Sequence, residues 1–159
     1  MSEEYIDINK SDLELWISWP PSVNNYYSHT RYGVHLSAGG RKYRDAISRD
    51  LGKQLGGRRL KEGSLSMLVV LFPPDRRKRD LDNHMKGLLD SLQAAGLIID
   101  DEWIDELRIV RGEVVKGGSA YVKISAGVGW EREDELDEEE GIDEMSLRGI
   151  GMNEIKYIV

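Results

Sequence analysis

At 159 residues, with 40% apolar and 32% charged side chains and a formal net charge of −7, the chain has enough apolar material for one buried core. It has no cysteine, which excludes disulfides and thiolate metal sites and fits a reducing compartment. The longest apolar run, Met67 to Phe72, is far too short to span a bilayer, and the acidic start "MSEEYIDINKSD" lacks the basic flank of a signal peptide, so a soluble cytoplasmic protein is expected.

In chain order, "LELWISW" (Leu13 to Trp19) alternates as a strand does, and "PPS" stops it. "VNNYYSHTRYGVHLS" reads as a long loop rich in turn formers. Ser37 is placed to cap a helix on which Tyr43, Ala46, Ile47, Leu51 and Leu55 recur at helical spacing until Gly56-Gly57. "LSMLVVLF" (Leu65 to Phe72) is a β-rich run closed by Pro73-Pro74. A second helix, from about residue 83 to 95, carries Met85, Leu88, Leu89, Leu92 and Ala95 on one face, with Asp82 or Asn83 as cap and Gly96 at its end. "LRIVRGEVV" and "AYVKISA" follow as two strands joined by a turn near Lys116-Gly117-Gly118. The order β-α-β-α-β-β predicts an α/β (α+β) domain over residues 1–126, a small mixed sheet with helices packed on it.

The remaining residues, 127–159, form an acidic C-terminal extension. They hold eleven Asp/Glu and three Lys/Arg, a charge of −8, which leaves 18 acidic and 19 basic residues, or +1, for residues 1–126. The body is therefore close to neutral, and a polyanionic partner for it is not excluded. The extension itself reads as a solvated appendage, with "IKYIV" at its end as a candidate docking peptide.

The chemistry concentrates in "RRKRDLDNHMKGLLDSLQAAGLIIDD", Arg76 to Asp101. In an extended segment Asp80 and Asp82 point the same way, and Lys86 lies one helical turn after Asp82. The helix descends roughly 20 Å at ~1.5 Å per residue. The run from Gly96 to Asp101, extended and doubled back at ~3.3 Å per residue, spans about as much, so Asp100 and Asp101 can return level with the first pair. A carboxylate from another subunit is the alternative. Converging carboxylates need a neutralising cation, and an all-oxygen donor set suits Mg²⁺, with Mn²⁺ as substitute. A phosphodiester would complete the coordination, and Arg76, Arg77, Lys78 and Arg79 are placed to hold a nucleic-acid backbone. Each part also has a plain reading: cap, surface turn, or an i,i+4 bridge between Asp82 and Lys86. Asp90 reads as structural. His84 adjoins the site without any H-x-x-H or H-x-x-x-H spacing, and His29 and His35 read as contacts to phosphate or solvent.

"DRRKRDLDN", the following Lys86, "AGLIIDD", "WPPSVNNYYSH", "HLSAGGRKYRD" and "VVKGG" together resemble the RusA family of Holliday-junction resolvases over about residues 13–126. The resemblance implies a homodimeric, Mg²⁺-dependent endonuclease that resolves four-way DNA junctions by paired symmetric nicks in recombination and repair, without an organic cofactor or a membrane. It further implies a bacterial or phage-infected host cytoplasm, and the family is common on phages. Carried over residue by residue, it makes Asp80, Asp82, Asp101 and Lys86 the catalytic set, with the three aspartates as metal ligands and Asp100 less certain. The acidic extension departs from the family pattern. Three other readings compete: a general branched-DNA nuclease, a non-catalytic junction-binding protein, and a metal-binding module without nucleic acid.

Overall fold

A computed structural model describes residues 5–127; the acidic extension, apart from Gly127, lies outside the described residues, and so do the expectations placed on it. The elements run β1 (Tyr5–Ile6), β2 (Leu13–Ser18), α1 (Val23–Tyr26), β3 (Tyr27–Thr30), β4 (Gly33–Leu36), α2 (Ala38–Leu55), β5 (Arg59–Leu60) and β6 (Leu65–Phe72). A 3₁₀ turn (Asp82–His84) leads into α3 (Met85–Ala94), and a second (Asp101–Trp103) into β7 (Ile104–Arg111), before β8 (Ser119–Ala126). The fold is α+β, as expected. Among the described residues no helix is long and apolar enough to cross a membrane.

Four strands form the main sheet in the order β2-β8-β6-β7. β8 is antiparallel to both its neighbours, whereas β6 and β7 are parallel, which requires the crossover that α3 provides. One sheet face carries Leu15 and Ile17, Leu65, Met67, Val69 and Leu71, and Ala120, Val122 and Ile124, all buried. Onto that face pack Tyr43, Ile47, Leu51 and Leu55 of α2 and Met85, Leu88 and Leu92 of α3. The spacing of these helical residues gives each helix one apolar stripe, and removing a leucine such as Leu88 or Leu92 from water contributes about 2 kcal/mol. On the opposite face Trp16 stacks on Phe72 and lies 5.2 Å from Tyr121, ring centroid to centroid.

β2 is an edge strand, and α2 covers its free edge with side chains. Gln54 accepts from the Trp16 N–H at 2.9 Å and donates to the Trp16 carbonyl at 2.6 Å; Asp50 accepts from both the N–H and the hydroxyl of Ser18 at 2.8 Å. These contacts satisfy backbone groups that would otherwise invite another strand.

Three expectations change. The segment expected as a long loop contains a helical turn and a hairpin: β3 pairs antiparallel with β4, in a sheet separate from the main one. The strand expected over 107–115 is β7, which starts three residues earlier and ends four earlier, because its pairing with β6 starts at Leu65 opposite Ile104 and ends at Leu71 opposite Arg111. Neither Asp82 nor Asn83 caps α3 through a side-chain hydrogen bond, since a 3₁₀ turn already occupies that stretch. Ser37 does cap α2, accepting from the Gly40 N–H, and Gly96, with φ of 82°, takes the left-handed conformation expected of it after α3.

Candidate active site

The loop from Pro73 to Leu81 is organised by Asp75. Its carboxylate accepts from the Arg79 guanidinium at 2.7 Å and from the Arg77 N–H at 2.9 Å. These two hydrogen bonds, Arg79's first, hold the Asp75 carboxyl at about 2, so the pair is intact throughout the neutral range. Arg79 is only 18% exposed; it lies 5.8 Å from the Trp19 ring, and its carbonyl accepts from Arg111 at 2.7 Å. Arg79 is thus a strut of the loop. Arg76, Arg77 and Lys78 are exposed, and with Arg79, Asp80 and Arg111 they line one open cleft. Four guanidinium groups, those of Arg79 and Arg111 held by hydrogen bonds, and an ammonium around one cleft make a surface for a polyanion.

The stretch from Asp75 to Asp101 holds six aspartates, and the structure divides them into two sets of three. Asp75 is engaged by Arg79. Asp90 accepts from the Lys86 ammonium at 3.2 Å and from the Tyr27 hydroxyl. Asp100 accepts from the Glu102 N–H at 2.9 Å and so caps the second 3₁₀ turn. Asp80, Asp82 and Asp101 are exposed, and their carboxylates have no hydrogen-bond or ion-pair partner among the described residues. Leaving Asp80 and Asp82 unpaired beside a loop so rich in cations has no evident structural use.

Asp80 and Asp82 flank Leu81, whose φ and ψ of −60° and −44° are helical. The segment is therefore not extended there, and the two-residue periodicity does not govern the direction of the two carboxylates. Lys86 also behaves differently from expectation: of the two aspartates four residues away, it pairs with Asp90. The α-helix begins only at Met85, so Asp82, in the 3₁₀ turn, lacks the i,i+4 geometry that Asp90 has. The ammonium remains 57% exposed, while Asp90 is 15% exposed and anchored on its other oxygen by Tyr27. Burial and Asp90 drive the Tyr27 hydroxyl pKa well above its ordinary range, so it stays a hydrogen-bond donor. The structural reading of Asp90 fits this network, whereas its pairing with Lys86 and Tyr27 escaped the sequence reading; the Lys86-to-Asp90 spacing was the one available signal.

Beside this network, Tyr26 is fully buried, its hydroxyl accepting from Arg44 at 2.7 Å and from Ser91 at 3.1 Å. Gly87 lets the Tyr26 ring approach α3: a Cβ at residue 87 would stand 3.0 Å from it. His84 is 5% exposed, its Nδ1 2.8 Å from the Pro20 carbonyl and its ring against Trp19. That carbonyl can only accept, so Nδ1 carries the proton and His84 locks the loop after β2 to the start of α3.

Asp101 is not level with Asp80 and Asp82. The run from Gly96 does not double back: Leu97 and Ile98 are buried, the Leu97 carbonyl accepts from the Leu60 N–H, and β7 then starts beside Leu65. The loop with Asp80 and Asp82 follows the opposite end of β6, where Arg111 closes β7. The eight residues of β6 separate the two ends by on the order of 20 Å. Accordingly, no group of three or more His, Asp or Glu side chains among the described residues could hold a metal within one chain.

The family model for Endodeoxyribonuclease RusA matches residues 18–125, more than half of the chain. The chain belongs to the RusA family. Among curated RusA-family proteins, it is 37% identical over 115 residues to the crossover junction endodeoxyribonuclease of Enterobacteria phage HK97, covering 72% of this chain and 95% of that one. It is 38% identical over 120 residues to the protein of the same name from Enterobacteria phage 82, covering 70% and 92%. It is likewise 38% identical over 118 residues to that of Escherichia coli strain K12, again covering 70% and 92%. The RusA match includes Asp80, Asp82, Lys86 and Asp101 and ends before the acidic extension.

Proposed function

We propose that this RusA-family chain is an endodeoxyribonuclease that resolves four-way DNA junctions in recombination and repair, acting as a homodimer with Mg²⁺ and cutting by paired symmetric nicks. The observation that carries the proposal is the division of the aspartates: the three that stay unpaired are the three that the family motif makes functional.

The donor set fits a hard divalent cation, since it consists of carboxylates accessible to solvent with no thiolate or available imidazole among them. Asp80, Asp82 and Asp101 would hold Mg²⁺, which supplies Lewis acidity to a bound water and to the scissile phosphate. Lys86 places a positive charge where the phosphate or the leaving oxygen gains negative charge. Arg76, Arg77 and Lys78 grip the backbone without reading sequence, and Arg79 keeps their loop in shape.

Because Asp101 sits at the far end of the sheet, the third carboxylate is assigned to the partner subunit. A two-fold axis running across the strands sets the end of one subunit that carries Asp80 and Asp82 beside the end of the other that carries Asp101. It does so twice, producing two equivalent sites for a two-fold substrate.

The deciding experiment incubates a mobile four-way junction and a matched linear duplex with the protein, with and without Mg²⁺. Paired nicks in the junction alone, and only with the metal, are expected; equal cutting of duplex, or product with the metal chelated, would refute the reading. Within the site, Asp90→Asn should free the Lys86 ammonium and lower the single-turnover cleavage rate by on the order of tenfold, with junction affinity little changed. Tyr27→Phe should act in the same direction but less. A loss of affinity with an unchanged rate would show that Asp90 does not position Lys86.

A further inference from the structure

The β3–β4 hairpin has no place in the mechanism above, yet its chemistry is distinctive. Residues 15–44 contain no Asp or Glu, in a chain with 29 of them, but they include Arg31, Arg41, Lys42, Arg44, His29 and His35. The hairpin lies outside the main sheet, and every residue from His29 to His35 is exposed. Its two strands are joined at Arg31-Tyr32, with Gly33 taking a φ of 123° that closes the turn. Tyr32 is 76% exposed at this tip, and Arg31 lies 4.7 Å from its ring centroid while donating to its hydroxyl. At the other end of β3, Tyr27 donates to Asp90, the residue that also holds Lys86. The base of the hairpin is thereby tied to the helix that carries the catalytic lysine.

We infer that the hairpin is a second DNA-contacting element, and that Tyr32 stacks on a base exposed where the arms of the junction meet. A projecting hairpin with no carboxylate of its own and Arg31 at its tip is complementary to a polyanion, and the local charge rather than the chain's net charge governs that contact. An aromatic face on a projecting tip stacks on any base whose own face is open. In an uninterrupted duplex those faces are covered by neighbouring pairs; at a crossing of four arms they can be reached. Arg31 fixes the ring and adds charge beside it, so little freedom is lost on contact. The hairpin thus supplies selectivity for branched over linear DNA, a property the phosphate-gripping loop of Arg76 to Lys78 cannot provide. The inference rests on the junction-nuclease reading.

The test uses the full chain carrying Asp80→Asn, so that binding is measured without cleavage. Its affinity for a four-way junction and for a matched duplex is compared with that of the same chain carrying Tyr32→Ala or Tyr32→Phe, by fluorescence anisotropy at fixed salt. Tyr32→Ala is expected to weaken junction binding by on the order of tenfold and leave duplex binding within about twofold, with Tyr32→Phe close to the parent. A 2-aminopurine at the crossing should change fluorescence on binding the parent and the phenylalanine variant but not the alanine variant. If the parent prefers the junction and Tyr32→Ala keeps both the preference and the fluorescence change, the hairpin inference alone is wrong. If the parent shows no preference for the junction, the functional reading fails and the inference falls with it. A Tyr32→Ala chain that loses subunit association, with DNA affinity lost only in proportion, would overturn the inference and assign the tip to a contact between copies.

Discussion

Asp80→Asn is expected to reduce junction cleavage by at least about a thousandfold while leaving junction binding unchanged or tighter. The size follows from the role: a carboxylate that holds the metal supplies several kcal/mol of transition-state stabilisation, and each 1.4 kcal/mol is about tenfold in rate. The direction of the binding effect follows from charge. Asp80 shares its cleft with Arg76, Arg77, Lys78 and Arg111, so removing its negative charge leaves the cations unopposed before an incoming phosphate. Asp80 has no partner among the described residues, so asparagine leaves no orphaned cation behind and the fold should not change. Single-turnover cleavage and anisotropy titration on the same junction measure the two quantities. A variant that cuts within about tenfold of the parent would remove Asp80 from the metal site.

Chains carrying Asp80→Asn and chains carrying Asp101→Asn, each inactive alone, should regain cleavage when mixed and allowed to exchange subunits. In the arrangement proposed, one site of the mixed dimer collects both substitutions while the other collects none. That dimer therefore makes one nick per junction instead of two. If each site drew all its carboxylates from one chain, both sites of the mixed dimer would carry a substitution and no activity would return. The experiment reads the same geometry as the sheet register, in which Leu65 lies opposite Ile104 at one end and Leu71 opposite Arg111 at the other. Resolution of a supercoiled cruciform plasmid into nicked rather than linear product gives the readout.

The sequence was most informative where burial imposes a period. α3 was legible because Met85, Leu88 and Leu92 must all face the sheet, and β6 because it alternates between a buried face and a half-buried one. Capping by Ser37 was legible as well, since a serine there has one evident use. What escaped depends on partners distant in the chain. "YSHT" and "GVHL" have no clear apolar alternation, and only their mutual pairing and the anchors Tyr26 and Tyr27 make them a hairpin. The covering of the β2 edge by Gln54 and Asp50 spans more than thirty residues. For Lys86, two aspartates at equal spacing were indistinguishable until the 3₁₀ turn took Asp82 out of helical register. The candidate carboxylates could be named from the motif, but chain length gives only reach. Where Asp101 lies is decided by the strand β7 pairs with and by the parallel direction of that pairing.

Under the proposed sharing of the site between subunits, the separation of Asp101 from Asp80 and Asp82 by the length of β6 has a further consequence. On the proposed two-subunit site, a solitary molecule carries all three carboxylates yet keeps Asp101 apart from the other two, which would work as a safety catch. On that proposal incision becomes second order in protein at low abundance, so a small number of newly made or stray copies would be innocuous until enough have accumulated to meet.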